Sequence, residues 1–256
     1  MMLEGIDVSD VQGFPKWEKV KAAGIEYAFC KATEGTTFQA KRFKYNWKGI
    51  KANNIIRGAY HFARTINDPL NDAKNFVKTV GNLDDSDMLV LDIEDKRSKL
   101  NKSQFISWVL TFMQYVEKET GIMPILYTYG PYFTQHAGYP TGELAKKLAR
   151  YPFWLAAYTK NPDKYLPGVW KDSGWTIWQR SGEISAPGDK VLYVPGINVV
   201  VDRNQFKGNR EDFLNFAKSL HDKKPEDLPV IEPYVHPEPT AWNKMSELIG
   251  SMFDKK

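Results

Sequence analysis

Eight short apolar runs, rich in β-branched and aromatic residues, constrain the fold of this chain more than any other feature. They are Gly5–Val8, Tyr27–Lys31, Ile55–Phe62, Met88–Ile93, Pro124–Tyr129, Phe153–Tyr158, Trp175–Gln179 and Ile197–Asp202. Several are apolar on both faces, as a strand covered on both sides must be. Between the early runs lie helical patterns over Lys16–Ala23, Ala40–Asn53, Pro69–Val80 and Lys102–Glu119. Strands alternating with helices predict a mostly parallel sheet, and eight of them with helices missing late in the chain predict an α/β fold of the irregular, TIM-like β/α barrel kind. A doubly wound open sheet is the alternative, but no glycine-rich phosphate loop follows the first run.

The helix over Lys102–Glu119 has the clearest local signals. Asn101 caps it, Gln104 completes a capping box, and Leu100 and Phe105 are spaced for a hydrophobic staple. Phe105, Trp108, Phe112 and Tyr115 follow helical spacing, and Gly121 and Pro124 close the element. The stretch from Asn161 to Gly174 holds Pro162, Pro167, Gly168 and Gly174, which argues against a long helix there. Composition shifts near residue 208. Glu211–Leu220 reads as a helix closing a catalytic barrel over residues 1–222. Residues 223–240 carry Pro225, Pro229, Pro233, Pro237 and Pro239, the composition of a stiff linker. Residues 241–256 contain a short amphipathic helix, Ala241–Phe253, with Trp242, Met245, Leu248, Ile249, Met252 and Phe253 on one stripe.

Composition excludes several classes. A single cysteine, Cys30, permits neither an internal disulfide nor a cysteine-built zinc site. Lys and Arg number 35 against 31 Asp and Glu, a net charge of +4, too weak an excess to point to nucleic acid. Aromatics make up 14 %, with 8 Trp and 13 Tyr. Such rings offer an apolar face and a polar tip, which suits a sugar-binding cleft as well as a large core. The first seven residues carry Glu4 and Asp7 and no apolar stretch, so a secretory signal peptide is not expected. No apolar run approaches the ~20 residues of a membrane span, so stable membrane insertion is not expected.

Acids stand where the runs end. Asp92 and Glu94 close Met88–Ile93, and the period-two alternation of a strand turns both to one side. Active sites of barrels form at the C-terminal strand ends. Two carboxylates close together there repel, which pushes one toward its protonated form near neutral pH. Asp7 ends the first run and Asp202 the last. First and last strands are neighbours in a closed barrel, so four acids from three strands are expected at one mouth. Such a cluster could instead hold Mg²⁺ or Ca²⁺, but the surroundings are aromatic and His136, His221 and His236 are scattered. No metal or cofactor is expected.

The chain resembles the family 25 glycoside hydrolases, lysozymes that cleave peptidoglycan between N-acetylmuramic acid and N-acetylglucosamine. The matching segments are Gly5-Ile6-Asp7-Val8-Ser9, Gln12-Gly13, Lys31-Ala32-Thr33-Glu34-Gly35, Gly58-Ala59-Tyr60-His61-Phe62, Asp92-Ile93-Glu94, Tyr127-Thr128, Phe153-Trp154-Leu155-Ala156, Trp178-Gln179 and Val201-Asp202-Arg203-Asn204. They run in the family's order over residues 4–207. Two positions depart from the usual pattern: Cys30 before Lys31, and Ala40 after the Glu34 loop. The resemblance implies an irregular β/α barrel.

The resemblance also implies roles. Glu94 would be the general acid. Asp92 and Asp202 would orient the reactive groups or stabilise positive charge at the anomeric carbon, and Asp7 would be the fourth acid of the cleft. Substrate assistance is favoured, with Asp92 positioning the acetamido group; the sequence itself leaves retaining, inverting and assisted routes open. Tyr60, Tyr127, Trp154 and Trp178 sit at strand ends, to stack on sugars or line the site. Glu34 lies three residues from Lys31, so a structural salt bridge is expected, and His61 reads as a packed strand histidine.

Two other functions compete. Family 18-like chitinases and endo-N-acetylglucosaminidases also end a strand in Asp-x-Glu, but with a further Asp where this chain has Val90. A non-catalytic glycan-binding barrel would not need all four acids. The expected setting is a bacteriophage endolysin, made in the host cytoplasm and reaching peptidoglycan after holin-dependent release. The C-terminal helix is expected to bind a second copy of itself, the barrel or the cell envelope. Deleting residues 225–256 should leave hydrolysis of small soluble glycan fragments unchanged and reduce either oligomer mass in solution or activity on intact walls. Unchanged solution mass, thermal stability and wall lysis would remove any binding role from the tail.

Overall fold

The computed structural model describes residues 2–182, 193–221 and 234. Eight strands close into a barrel: β1 (Met2–Val8), β2 (Tyr27–Glu34), β4 (Ile56–Phe62), β5 (Met88–Asp92), β6 (Ile125–Tyr129), β7 (Phe153–Ala156), β8 (Ile177–Ser181) and β9 (Asp202–Lys207). β3 (Phe38–Gln39) hangs from β2 as a short antiparallel flap. Helices α1 (Trp17–Ala22), α2 (Phe43–Ala52), α3 (Pro69–Val80) and α4 (Lys102–Thr120) follow the early strands as the sequence predicts, and α4 carries the Asn101/Gln104 capping box. Residues 162–170 form only two short 3₁₀ turns, in keeping with their prolines and glycines. α7 (Arg210–Ser219) follows the last strand.

Three expectations are corrected. α5 (Gly130–Ala137) and α6 (Gly142–Ala149) lie between β6 and β7, where the sequence suggested irregular connections. Pro131 occupies the first turn of α5, where a missing N–H costs nothing. The last strand is Asp202–Lys207 and not Ile197–Asp202, so Asp202 begins it. Third, β9 runs antiparallel to both neighbours, β1 and β8, whereas the other barrel pairings are parallel. The expected linker and C-terminal helix fall outside the described residues, apart from Tyr234. Among the described residues no helix is long and apolar enough to cross a membrane.

Alternation along the strands sorts side chains into the barrel interior and the helix-covered exterior. Phe29 of β2 and Trp154 of β7 stand on non-adjacent strands, yet their ring centroids lie 4.6 Å apart, so both point inward. Every second residue from each then shares the interior, which places Tyr27 and Lys31 on the inner face of β2. At the floor, Tyr27 stacks on Phe213 of α7 at 4.2 Å, so α7 plugs the barrel's lower end. Glycine is used where these rings need room: a Cβ on Gly5 would lie 2.2 Å from the Tyr27 ring.

Because Tyr27 is wholly buried against Phe213, it cannot swing aside for a larger neighbour. Gly5→Ala should therefore destabilise the fold by ~1–3 kcal/mol, the cost of overpacking a filled core. A lower urea midpoint at unchanged slope would show this; an unchanged midpoint would mean the floor is loosely packed.

Candidate active site

The four acids converge on one end of the barrel. Asp7 lies one residue before the end of β1, Asp92 is the last residue of β5, and Glu94 follows two residues on. Asp202 opens β9 and pairs in register with Asp7. Since β9 is antiparallel, its first residue lies at the same barrel end as the last residues of the parallel strands. All four line a polar pit of about 210 Å³, together with Ser9, Lys31, Tyr60, Phe62, Tyr127, Trp154 and Gln179. Glu94, Asp202, Phe62 and Tyr127 also line a wider groove of about 840 Å³, whose other walls include Arg64, Lys96, Arg97, Tyr129, Tyr158 and Tyr165. Glu94 thus stands at the junction of pit and groove.

Main-chain bonds hold the β5 end in place. Ala63 N–H donates to Asp92 O at 2.8 Å, Ile93 N–H to Tyr127 O at 3.0 Å. Thr128 Oγ1 donates to Ile93 O at 2.6 Å. The extended path past Asp92 keeps Asp92 and Glu94 on one side and Ile93 on the other, as the alternation predicts.

Two amides organise the Asp7 side. Asn204 Nδ2 donates to Asp7 Oδ2 at 2.8 Å, and Gln179 Nε2 donates to the same oxygen at 3.1 Å while lying 3.4 Å from Asp202 Oδ2. Gln179 Oε1 accepts from the hydroxyls of Tyr127 and Tyr158, both at 3.0 Å. Trp154 Nε1 donates to Asn204 Oδ1 at 3.1 Å. Asp7 and Asp202 are also hydrogen-bonded to each other, which requires a proton between the carboxyl groups.

Burial sets the electrostatics. It raises the Asp7 carboxyl, against the opposing bonds from Asn204, Gln179 and Asp202. It lifts Asp92 well above the carboxylate range, reinforced by the charge of Glu94 and eased by Lys31. Glu94 is raised too, by burial first and by Asp7 second, and eased by Lys96 and Lys31. The sequence reading assigned Glu94's shift to its neighbour Asp92. In the structure Asp92 is the deeper member, and its buried Oδ1 lacks a hydrogen-bond partner.

Of the expected ring residues, Tyr60, Tyr127 and Trp154 line the pit. Trp154 is buried between Phe29 and Tyr127 and acts as a wall and as the donor that orients Asn204. Trp178 does not line pit or groove. Its neighbour Gln179 takes the inner face of β8, so alternation turns Trp178 out, where Nε1 donates to Ala157 O at 2.7 Å. Glu34 pairs with Lys31 Nζ at 2.5 Å and with Arg64, as a structural bridge. His61 is buried between Thr33 Oγ1 at 2.7 Å and Asp72 Oδ2 at 3.2 Å, a packed histidine. Gln179 and Asn204 were not singled out, although both stand in the matched segments. Polar amides on inward strand positions were the available signal. Tyr129, Tyr158 and Tyr165 come from strand ends and an irregular loop, where no pattern marks them.

A carboxyl raised in the folded state favours folding below its unfolded pKa, and that contribution is lost as pH rises through the folded value. Asp92→Asn removes the group that must otherwise stay protonated or be buried charged. The variant should melt a few degrees higher than the native chain at pH 7, at ~2–4 °C per kcal/mol for this size. The gap should narrow as pH falls and close at pH ~3, below the ordinary aspartate pKa, where Asp92 is protonated in both states. A gap independent of pH would rule out the titration of Asp92 as its origin.

Comparison with known proteins places this geometry in context. The family model described as glycosyl hydrolases family 25 matches residues 6–189. Lysozyme M1 of Streptomyces globisporus is 34 % identical over 226 residues, covering 85 % of this chain and 72 % of that protein. The bacterial lysozyme from Streptomyces coelicolor superposes with a TM-score of 0.74 at 31 % identity, covering 85 % of this chain and 98 % of that one. A family GH25 lysozyme from Aspergillus fumigatus gives 0.72 at 30 %, covering 85 % and 99 %.

Proposed function

The chain belongs to glycosyl hydrolases family 25, and from that premise we propose how its pit and groove carry out muramidase chemistry. The enzyme hydrolyses the β-1,4 bond between N-acetylmuramic acid and N-acetylglucosamine in peptidoglycan. The observation that carries the reading is the pit itself: four carboxyls, three of them raised, opening onto a tyrosine-walled groove of about 840 Å³. Val90, where a family 18-like enzyme would carry a third acid on this strand, is apolar and buried.

In this reading Glu94 protonates the leaving oxygen. It is the raised carboxyl that faces both pit and groove, so it reaches a bond lying across their junction. Asp92 lies deeper, and its unpartnered Oδ1 suits the N–H of an acetamido group. That supports substrate assistance, in which the acetamido oxygen attacks the anomeric carbon while Asp92 accepts its N–H. Asp7 and Asp202, held by Gln179 and Asn204, supply negative potential against the positive charge that develops at the ring.

The biological setting is proposed on sequence grounds. One cysteine, buried in the core, suits a chain that folds in a reducing compartment. That fits a phage-encoded endolysin made in the host cytoplasm and released to the wall by a holin. Self-association through Ala241–Phe253 is proposed from its apolar stripe alone.

Glu94→Gln should fold normally and lose ~10²–10⁴ in turnover, the range of general acid catalysis. The alkaline limb of the pH profile should move up in Lys96→Met, where an easing cation is gone. New reducing ends should be muramic acid. In an expressing bacterium, lysis should follow membrane permeabilisation and not expression alone. Near-native turnover in a folded Glu94→Gln protein would remove Glu94 from the role.

A further inference from the structure

The groove wall beyond Glu94 carries two cations whose charged ends the pit chemistry leaves open to a ligand. Lys96 and Arg97 both line the groove. Lys96 has no ion-pair partner among the described residues. Arg97 is held at its root: its backbone N–H and its Nε each reach Asp95 Oδ1 at 3.2 Å. Its terminal amino groups have no protein partner among the described residues, and its side chain is 66 % exposed. Asp95 itself is buried, also pairs with Arg64 at 3.3 Å, and through its carbonyl accepts from Tyr132 Oη at 3.0 Å. The loop is therefore clamped, while the charged ends stand in the groove.

Resting on the muramidase reading, we propose that Lys96 and Arg97 form a carboxylate-binding subsite for the stem peptide of the muramic acid bound beside Glu94. In peptidoglycan each N-acetylmuramic acid bears a lactyl ether whose carbonyl carries a peptide, and that peptide holds free carboxylates. Arg97 follows Glu94 by three residues, so their Cα atoms lie within ~11 Å of each other. A carboxylate on the second residue of the peptide reaches ~7 Å from the lactyl carbonyl. A guanidinium fixed at Nε still presents its terminal N–H groups to a carboxylate, the geometry of a charge-assisted pair. The glycan backbone fixes the ring at Glu94, and the cations select rings that carry a peptide.

The test uses glycan strands stripped of wall phosphate polymers, in three forms: stem peptides intact, stem peptides removed by an amidase with the exposed lactyl carboxylates then capped as methylamides, and stem peptides intact with their carboxylates amidated. The readout is the ratio of kcat/KM between forms, followed by release of reducing ends. This ratio is insensitive to a general loss of rate. The native chain should prefer the intact form over both others by roughly five- to tenfold, the range of one or two exposed charge-assisted pairs. The preference should fall toward one in the Lys96→Ala/Arg97→Ala double variant and at high salt. Equal ratios in the native and double-variant proteins would overturn the proposal. So would a preference that survives carboxylate amidation, or one that appears only when wall phosphate is present. Absence of reducing muramic acid from all three forms would overturn the muramidase reading itself, and the proposal with it.

Discussion

Carboxylates crowded into one barrel mouth must find donors or stay protonated, and the arrangement around them follows from that requirement. An isolated buried charge costs far more than one hydrogen bond returns. Here Asp7 and Asp202 meet each other and two amides, while Asp92 and Glu94 are both biased toward their neutral forms. Gln179 spans Asp7 and Asp202 with one amide nitrogen. Its direction is set from behind, since the hydroxyls of Tyr127 and Tyr158 both donate to its oxygen. The indole N–H of Trp154, a donor only, does the same for Asn204. The aromatic richness of the chain thus serves the site as well as the core: rings at the mouth orient the amides that hold the acids.

The reversed last strand belongs to the same solution. In an all-parallel barrel, the residue that opens a strand lies at the floor. Asp202 opens β9 and yet faces Asp7, because β9 runs antiparallel to β1. From Asp202, the alternation places Asn204 and then Phe206 on the same inner face. Asn204 meets Asp7, and Phe206 packs on Phe213 at 4.9 Å near the floor. One strand therefore spans acid, orienting amide and floor in six residues.

Much of this was legible in the sequence, for reasons that can be named. Strands buried on both faces announce themselves as continuous apolar runs, and Met88–Asp92 is wholly buried. Caps announce helices, as Asn101 and Gln104 do for α4. The last strand was misplaced because it is not apolar. Asp202, Asn204 and Gln205 give it a polar pattern, while the apolar Val199–Val201 before it is an irregular approach. The convergence of the four acids was nevertheless expected, because Asp202 was taken to end its strand at the mouth; it stands there instead as the first residue of an antiparallel one. Trp178 was misassigned for want of a phase. Trp178 and Gln179 both stand near a strand end, and only an anchor such as the Phe29–Trp154 contact tells which of two adjacent residues faces inward. Gln179 needed that phase as well, since its role depends on two tyrosines and two acids from distant strands.

Charge outside the pit completes the argument. Lys31 eases both Asp92 and Glu94, so an unopposed Lys31 would favour the charged form of each. It is not unopposed, because Glu34 binds it, Arg64 binds Glu34, and Asp95 binds Arg64. Each member of this chain of ion pairs moderates the next, and the chain ends at Arg97 on the groove wall. Glu34 therefore bears on the reaction without touching the pit, by limiting how much positive potential Lys31 brings to it. A pit kept short of positive charge keeps its carboxyls biased toward the protonated form, the form a general acid must be in before the glycosidic oxygen arrives.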